Sequence, residues 1–238
     1  MPYTLSKSDF KIASTCAKKL KYKKLHYPSS LEENDFLKML AEGGYIVGKL
    51  ATILNPGTEI TGNTSAALEQ TRDLLQQDNI TLHEAAIQSG QKLVRIDILK
   101  KNGNIFDLIE VKAKSFNSEE DKSEEKKNMQ EYIEDVVFQT LVLQEIYPQA
   151  VINSWLLMPD KSKQTAIEGL ASWFKVLPQE MEENTTSSFR KIEVAFIEIK
   201  DEPEYKAKQQ LLMQDGLLEL MPLNDKVNPH CSTIFSKC

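Results

Sequence analysis

Three charged residues within one short stretch have the types and spacing to handle a phosphodiester. Asp97 stands in VRIDIL, and Glu110 and Lys112 stand in LIEVKAK, with twelve residues between the two acids. Asn102-Gly103-Asn104 lies between the two runs as a turn signal, so the stretch reads as a hairpin. The two-residue period of a strand puts Glu110 and Lys112 on one face, and the turn brings Asp97 across to meet them. Carboxylates offer hard oxygen ligands to Mg2+ or Mn2+; such an ion activates water and stabilises the charge that develops on phosphorus. An adjacent lysine orients the nucleophile or neutralises charge. Ile96, Ile98, Ile109 and Val111 alternate with these polar side chains and are expected to pack the opposite face of the sheet.

The surrounding pattern predicts the elements that must hold this group. Thr81 to Ile87, Lys92 to Lys100 and Ile105 to Lys112 read as a β-meander. Before it, Ser8 followed by DFKIASTCAKKLKYKKL reads as an N-capped helix with lysines on its polar side. A second helical pattern runs from Leu31 to Leu54. Its Gly43, Gly44 and Gly48 suggest close backbone approach or a break. A third helix is expected over Ser65 to Gln77. After the meander, residues 117 to 127 are almost wholly charged and polar and read as a mobile loop. Met129 to Ile146 then reads as an amphipathic helix stopped by Pro148, and Ala150 to Met158 as a buried strand. A helix containing Trp173 and Phe174, a strand over Lys191 to Lys200 and another around Gly216 to Met221 complete the expectation.

Composition bounds the function. With 238 residues, 41% hydrophobic and 27% charged, the chain suffices for one sizeable core. A net charge of −6 argues against a protein that coats nucleic acid nonspecifically, although it leaves room for a local basic groove. Lys18, Lys19 and Lys21 in the first helix are the candidates to meet a phosphate backbone. No run approaches the roughly 20 apolar residues of a membrane span, and Met1 to Phe10 lacks the apolar core of a signal peptide, so a cytoplasmic protein is expected. Phosphate-binding glycine loops of the nucleotide-hydrolase kind are absent from the sequence.

The run EAAI…VRIDIL…GNIFDLIEVKAKS resembles the catalytic meander of RecB-type nucleases of the PD-(D/E)xK class, a group that includes the AddB nuclease domain and CRISPR-associated nucleases carrying an iron–sulfur cluster. The opening LSKSDFKIASTCAKKLKYKK resembles that group's N-terminal helix, and DVVFQTLVLQEIYP the helix after its catalytic strands. Together these cover much of residues 1 to 158 in the same order.

The resemblance implies an α/β fold with a restriction-endonuclease-like core, a central mixed β-sheet flanked by helices, spanning residues 1 to 238 as one domain. It implies that Asp97 and Glu110 bind Mg2+ or Mn2+ with the carbonyl of Val111, that Lys112 serves the attacking water, and that Gln139 matches the family's helix glutamine. Glu84 is a further acid for the metal. The implied activity is hydrolysis of DNA, as an exonuclease on single strands or duplex ends. Two positions depart from the pattern. Gly48 stands where the family often has a metal-binding His, and Leu143 where it usually has Tyr, with Tyr132 or Tyr147 as spatial substitutes. These departures keep open a second expectation, a weakened nuclease-like module that binds DNA or docks a partner in a repair or defence protein.

Cys16, Cys231 and Cys238 form an odd set in a reducing compartment and read as free thiols or metal ligands rather than disulfides. In the cluster-bearing members of the group, one N-terminal cysteine joins three near the C-terminus around a [4Fe–4S] centre, which needs four thiolates. Three candidates are present in that order. The expectation is therefore a piece of a longer bacterial protein, with the fourth cysteine and a further domain beyond Cys238. His230 beside Cys231 also permits a zinc site, ranked below iron–sulfur because the separations are unlike a compact zinc knuckle. His26 reads as a surface residue.

Overall fold

The stretch read as a meander forms the centre of a mixed, seven-stranded sheet in the computed structural model, which describes residues 4–27, 35–119, 129–167, 170, 174–177, 193–196, 210–211, 213–225 and 227. β3 (Asn79–Ser89), β4 (Lys92–Asn102) and β5 (Ile105–Val111) pair antiparallel in succession. Gly103, at φ 56°, makes the tight turn between the last two. β6 (Val151–Pro159) adds parallel to β5, and β9 (Leu218–Pro222) adds antiparallel to β6. On the other side β2 (Thr58–Glu59) runs parallel to β3. Gly57 precedes it where an added Cβ would lie 2.5 Å from the Thr81 carbonyl oxygen, so only glycine fits.

A parallel pair needs a crossover, and α5 (Gln130–Ile146) supplies it between β5 and β6. This helix was expected to be amphipathic. Instead Ile133 and every residue from Asp135 to Leu143 are buried. The sheet lies on one side, and α1 (Lys7–Thr15) closes the other by stacking Phe10 on Phe138 at 4.7 Å and 9°. A helix enclosed on several sides carries apolar residues around its circumference, which flattens the periodic signal. Val136, Val137, Val142 and Leu143 join Leu82, Leu99, Phe106, Leu108 and Leu156 in the main core. A smaller cluster of Ile98, Ile109 and Leu157 receives Ala51 of α3 (Asp35–Leu54).

Several local expectations are corrected. The first helix is capped by Ser6 rather than Ser8: the Ser6 hydroxyl accepts the Asp9 N–H at 3.2 Å while the Asp9 carboxylate accepts the Ser6 N–H at 3.1 Å. That reciprocal box needs an acid three residues on, which Ser6 has and Ser8, followed at that spacing by Lys11, lacks. The helix also ends at Cys16, extended at φ −166°, and resumes as α2 (Ala17–Lys24). Asp9, buried, binds Lys23 at 2.9 Å and Lys24 at 2.7 Å and so ties the two helices together.

The glycines of α3 mark neither a break nor a close approach. The helix is continuous, and among the described residues an added Cβ at Gly43, Gly44 or Gly48 meets no atom within 4 Å. Phe174 begins strand β7 (Phe174–Leu177) rather than lying in a helix, because its pairing partner β8 (Glu193–Phe196) is remote in sequence and invisible to local periodicity. Trp173 and residues 120–127 of the charged loop lie outside the described residues. The third helix, α4 (Thr64–Leu74), falls where expected with Asn63 as its cap.

Candidate active site

The sheet forks where the carboxylates stand. β3 pairs along the whole of one edge of β4, from Lys92 to Asn102. The opposite edge is shared: β1 (Leu5–Ser6) pairs parallel with Lys92 and Leu93, while β5 pairs only with Ile98 to Asn102. Val94 to Asp97 therefore line an opening between β1 and β5. Asp97 stands one step past the Ile98–Ile109 pair, across from Glu110, and its Oδ2 accepts the Val111 N–H at 2.7 Å. A side chain thus replaces the next ladder bond and props the fork open. Lys7 follows β1 directly, so the short parallel pairing aims it into the gap.

Glu110, only 1% exposed, is the hub. Lys7 Nζ donates to both of its oxygens, at 2.8 and 3.0 Å. Lys112 Nζ donates to Oε1 at 2.6 Å, and Gln139 Nε2 donates to Oε2 at 2.6 Å. Lys112 is tied a second time, to Asp135 Oδ2 at 2.9 Å, and its ammonium lies 5.4 Å from the centre of the Tyr132 ring. Tyr132, Asp135 and Gln139 recur at three- and four-residue spacing and so share one face of α5. Of the two spatial substitutes for the missing tyrosine, Tyr132 is the one beside Lys112. Tyr147 packs on Phe106 instead, and Leu143 is fully buried in the main core.

The electrostatics separate the two central acids. Burial of its carboxyl group, with the neighbouring charges of Glu110 and Glu84, pushes Asp97 up to about 7 against the opposing pull of Lys7 and the Val111 N–H. Burial would raise Glu110 as well, but Lys7 and Lys112 hold it down at about 2. Lys112 is held above its ordinary range because Glu110 and Asp135 outweigh its desolvation. It is therefore a fixed ammonium, suited to donating hydrogen bonds and balancing charge rather than to accepting a proton.

Glu84 faces Asp97 between the His83–Ile98 and Ala85–Ile96 pairs and adopts φ 57°, the left-handed region that non-glycine residues rarely enter. Such a conformation costs about 1–3 kcal/mol and is held only where the surroundings impose it. His83 beside it is buried, its Nε2 2.7 Å from the Asn55 carbonyl oxygen, as a satisfied core residue.

The donor set suits a hard divalent cation. Asp97, Glu110 and Glu84 supply carboxylate oxygens, and Gln139 Oε1 is a buried amide oxygen with no hydrogen-bond partner among the described residues. The elevated Asp97 marks a place where negative charge is under-compensated. As the side chains stand, however, no three Asp, Glu, His or Cys groups among the described residues converge to hold an ion. Both oxygens of Glu110 are already engaged, and Gly48 brings no ligand.

Lys18, Lys19 and Lys21 are exposed on α2, and among the described residues no carboxylate pairs with them. Cys16 is a free thiol at the start of α2; the N–H groups of Lys19 and Lys18 lower its pKa, which favours the thiolate a metal requires. Cys231, Cys238 and His230 lie outside the described residues. No protein-family model matches the chain, and no curated protein matches it.

Asp97, Glu110, Lys112 and Gln139 are thus brought to one point, with Glu84 beside it. Lys7 and Asp135 belong to the same cluster and were not anticipated. Asp135 carried a legible signal, four residues before Gln139. Lys7 carried none, since its place depends on a two-residue strand.

Proposed function

We propose that this chain is a RecB-type nuclease domain of the PD-(D/E)xK class, acting in the cytoplasm as a Mg2+- or Mn2+-dependent exonuclease on DNA single strands or duplex ends. The observation that carries this reading is the fork between β4 and β5, where Asp97, Glu110, Lys112 and Gln139 meet. Asp97, Glu110 and the carbonyl of Val111 would hold the ion, with Glu84 as a further acid. When bound, the ion supplies Lewis-acid activation of water and stabilises charge on the phosphoryl group. Lys112, fixed by Glu110 and Asp135, orients the attacking water and balances the charge that develops. Gln139 holds Glu110 in place through its amide N–H. Lys18, Lys19 and Lys21 guide the phosphate backbone. Cys16, with Cys231 and Cys238, would supply three of the four thiolates of an iron–sulfur cluster, which iron and sulfide content of anaerobically purified protein would test.

The experiment is cleavage of labelled single- and double-stranded DNA with Mn2+ or Mg2+, comparing wild type with Glu110→Ala, Lys112→Ala and Asp97→Ala. Cleavage by wild type alone, with DNA binding retained in Asp97→Ala, supports the nuclease. A second reading is a DNA-binding or docking module descended from such an enzyme. The absence of a ligand at Gly48 and the full engagement of Glu110 favour it, and binding without cleavage in the folded wild type would establish it.

A further inference from the structure

Lys7 sits on Glu110 in the manner of a cation on a chelating carboxylate, at 2.8 and 3.0 Å from the two oxygens. The two other donors to Glu110 have separate anchors: Lys112 is also bound by Asp135, and Gln139 Nε2 also reaches the Asp135 carbonyl oxygen at 3.2 Å. Lys7 has no hydrogen-bond partner other than Glu110 among the described residues, and its side chain is 26% exposed. It is the most readily displaced of the three. Its departure would free the carboxylate while Lys112 and Gln139 kept it in position.

Resting on the nuclease reading, we propose that Lys7 occupies the divalent-ion seat on Glu110 until a backbone phosphate draws its ammonium away, so that metal loading and nucleic-acid binding are coupled. A second positive charge beside an ammonium is strongly opposed in a poorly screened site. A phosphate oxygen arriving at the fork offers that ammonium a partner of equal sign and strength to the carboxylate it leaves. The exchange keeps every charge paired: the ion takes Glu110, and Lys7 takes the phosphate. Lys7 thereby becomes a positioning residue for the substrate in the loaded state. By thermodynamic reciprocity, the factor by which the nucleic acid tightens metal binding equals that by which the metal tightens nucleic-acid binding.

The test is Mn2+ binding by isothermal titration calorimetry on the full chain, with and without a phosphorothioate oligothymidylate as a slowly cleaved polyanion. Lys7→Met, which keeps the aliphatic stem, should bind Mn2+ about tenfold or more tightly than wild type. The oligonucleotide should tighten Mn2+ binding to wild type by a larger factor than it does to Lys7→Met, where only direct attraction between ion and phosphate remains. Lys7→Arg, whose fork grips a carboxylate bidentately, should bind Mn2+ more weakly than wild type, and it keeps the charge should Lys7→Met fail to fold. Equal or weaker binding in Lys7→Met, or unchanged binding in Lys7→Arg, overturns the interlock while leaving the nuclease reading intact. Absence of any binding that Glu110→Gln removes, in all variants, overturns both.

Discussion

Asp135 on α5 reaches Lys112 beyond the end of β5 at 2.9 Å, and through that contact the helix fixes the ammonium against Glu110. The lysine is shared by two buried carboxylates. Removing it as Lys112→Met leaves both without their common counter-charge, and the expected cost is about 2–4 kcal/mol. Asp135→Asn, which keeps an acceptor, should cost about 1 kcal/mol. Urea unfolding at neutral pH separates the two cases; equal losses would show that the charge at Asp135 is immaterial.

The raised Asp97 makes a prediction about pH. Its carboxyl titrates near 7 in the folded chain, and near 3.9 in a model peptide. The folded state therefore holds a proton that the unfolded state has released, and the associated stability, complete below about 4, is lost as pH rises through 7. Asp97→Asn keeps an oxygen for the Val111 N–H and does not titrate. In chelator-treated protein it should melt above wild type at pH 8, with the difference closing below pH 5; each pKa unit corresponds to about 1.4 kcal/mol. A constant offset across that range would dissociate the shift from Asp97.

Gly48 and Gly57 should respond oppositely to alanine. Gly48 lies within α3, and no atom of the described residues stands where a Cβ would go, so Gly48→Ala should stabilise by about 0.5–1 kcal/mol through helix propensity. At Gly57 the same methyl would run into the Thr81 backbone, and destabilisation is expected. Thermal melts of the two variants read this directly.

On α2, replacing Lys18, Lys19 and Lys21 together by alanine should flatten the salt dependence of single-strand binding. If all three meet phosphates, the slope of log K against log salt falls by about 2. Tyr22 and Tyr27, 50% and 61% exposed and in edge contact at 5.1 Å, lie among these lysines. Tyr22→Ala should weaken binding by about 1–3 kcal/mol if a base stacks there, with the salt slope unchanged. Fluorescence anisotropy at several salt concentrations distinguishes the contributions.

How much of this was legible follows from the range of the interactions involved. The meander and its turn were readable because β3, β4 and β5 are consecutive and their residues alternate locally. The meeting of Asp97, Glu110 and Lys112 followed from that register alone. Lys7 was illegible because its position depends on Leu5 and Ser6 pairing with Lys92 and Leu93, too short a strand for any period to show. The left-handed backbone at Glu84, within β3, was equally hidden, since nothing in its residue type asks for it. The capping box at Ser6 was present in the sequence, and the spacing to Asp9 distinguishes it from Ser8. The strand at Phe174 could not be read locally, because its partner lies across residues 178–192.

The two-residue β1 has a consequence for the order in which the protein is made. Lys7 leaves the ribosome before β4, on which the strand that steers it depends, and its contact Glu110 follows later still. Gln139, which secures Glu110 from the other side, is translated after both. A nascent chain therefore carries the fork's parts without the fork, and on the proposed reading it cannot cut the nucleic acid around it until α5 has emerged and docked.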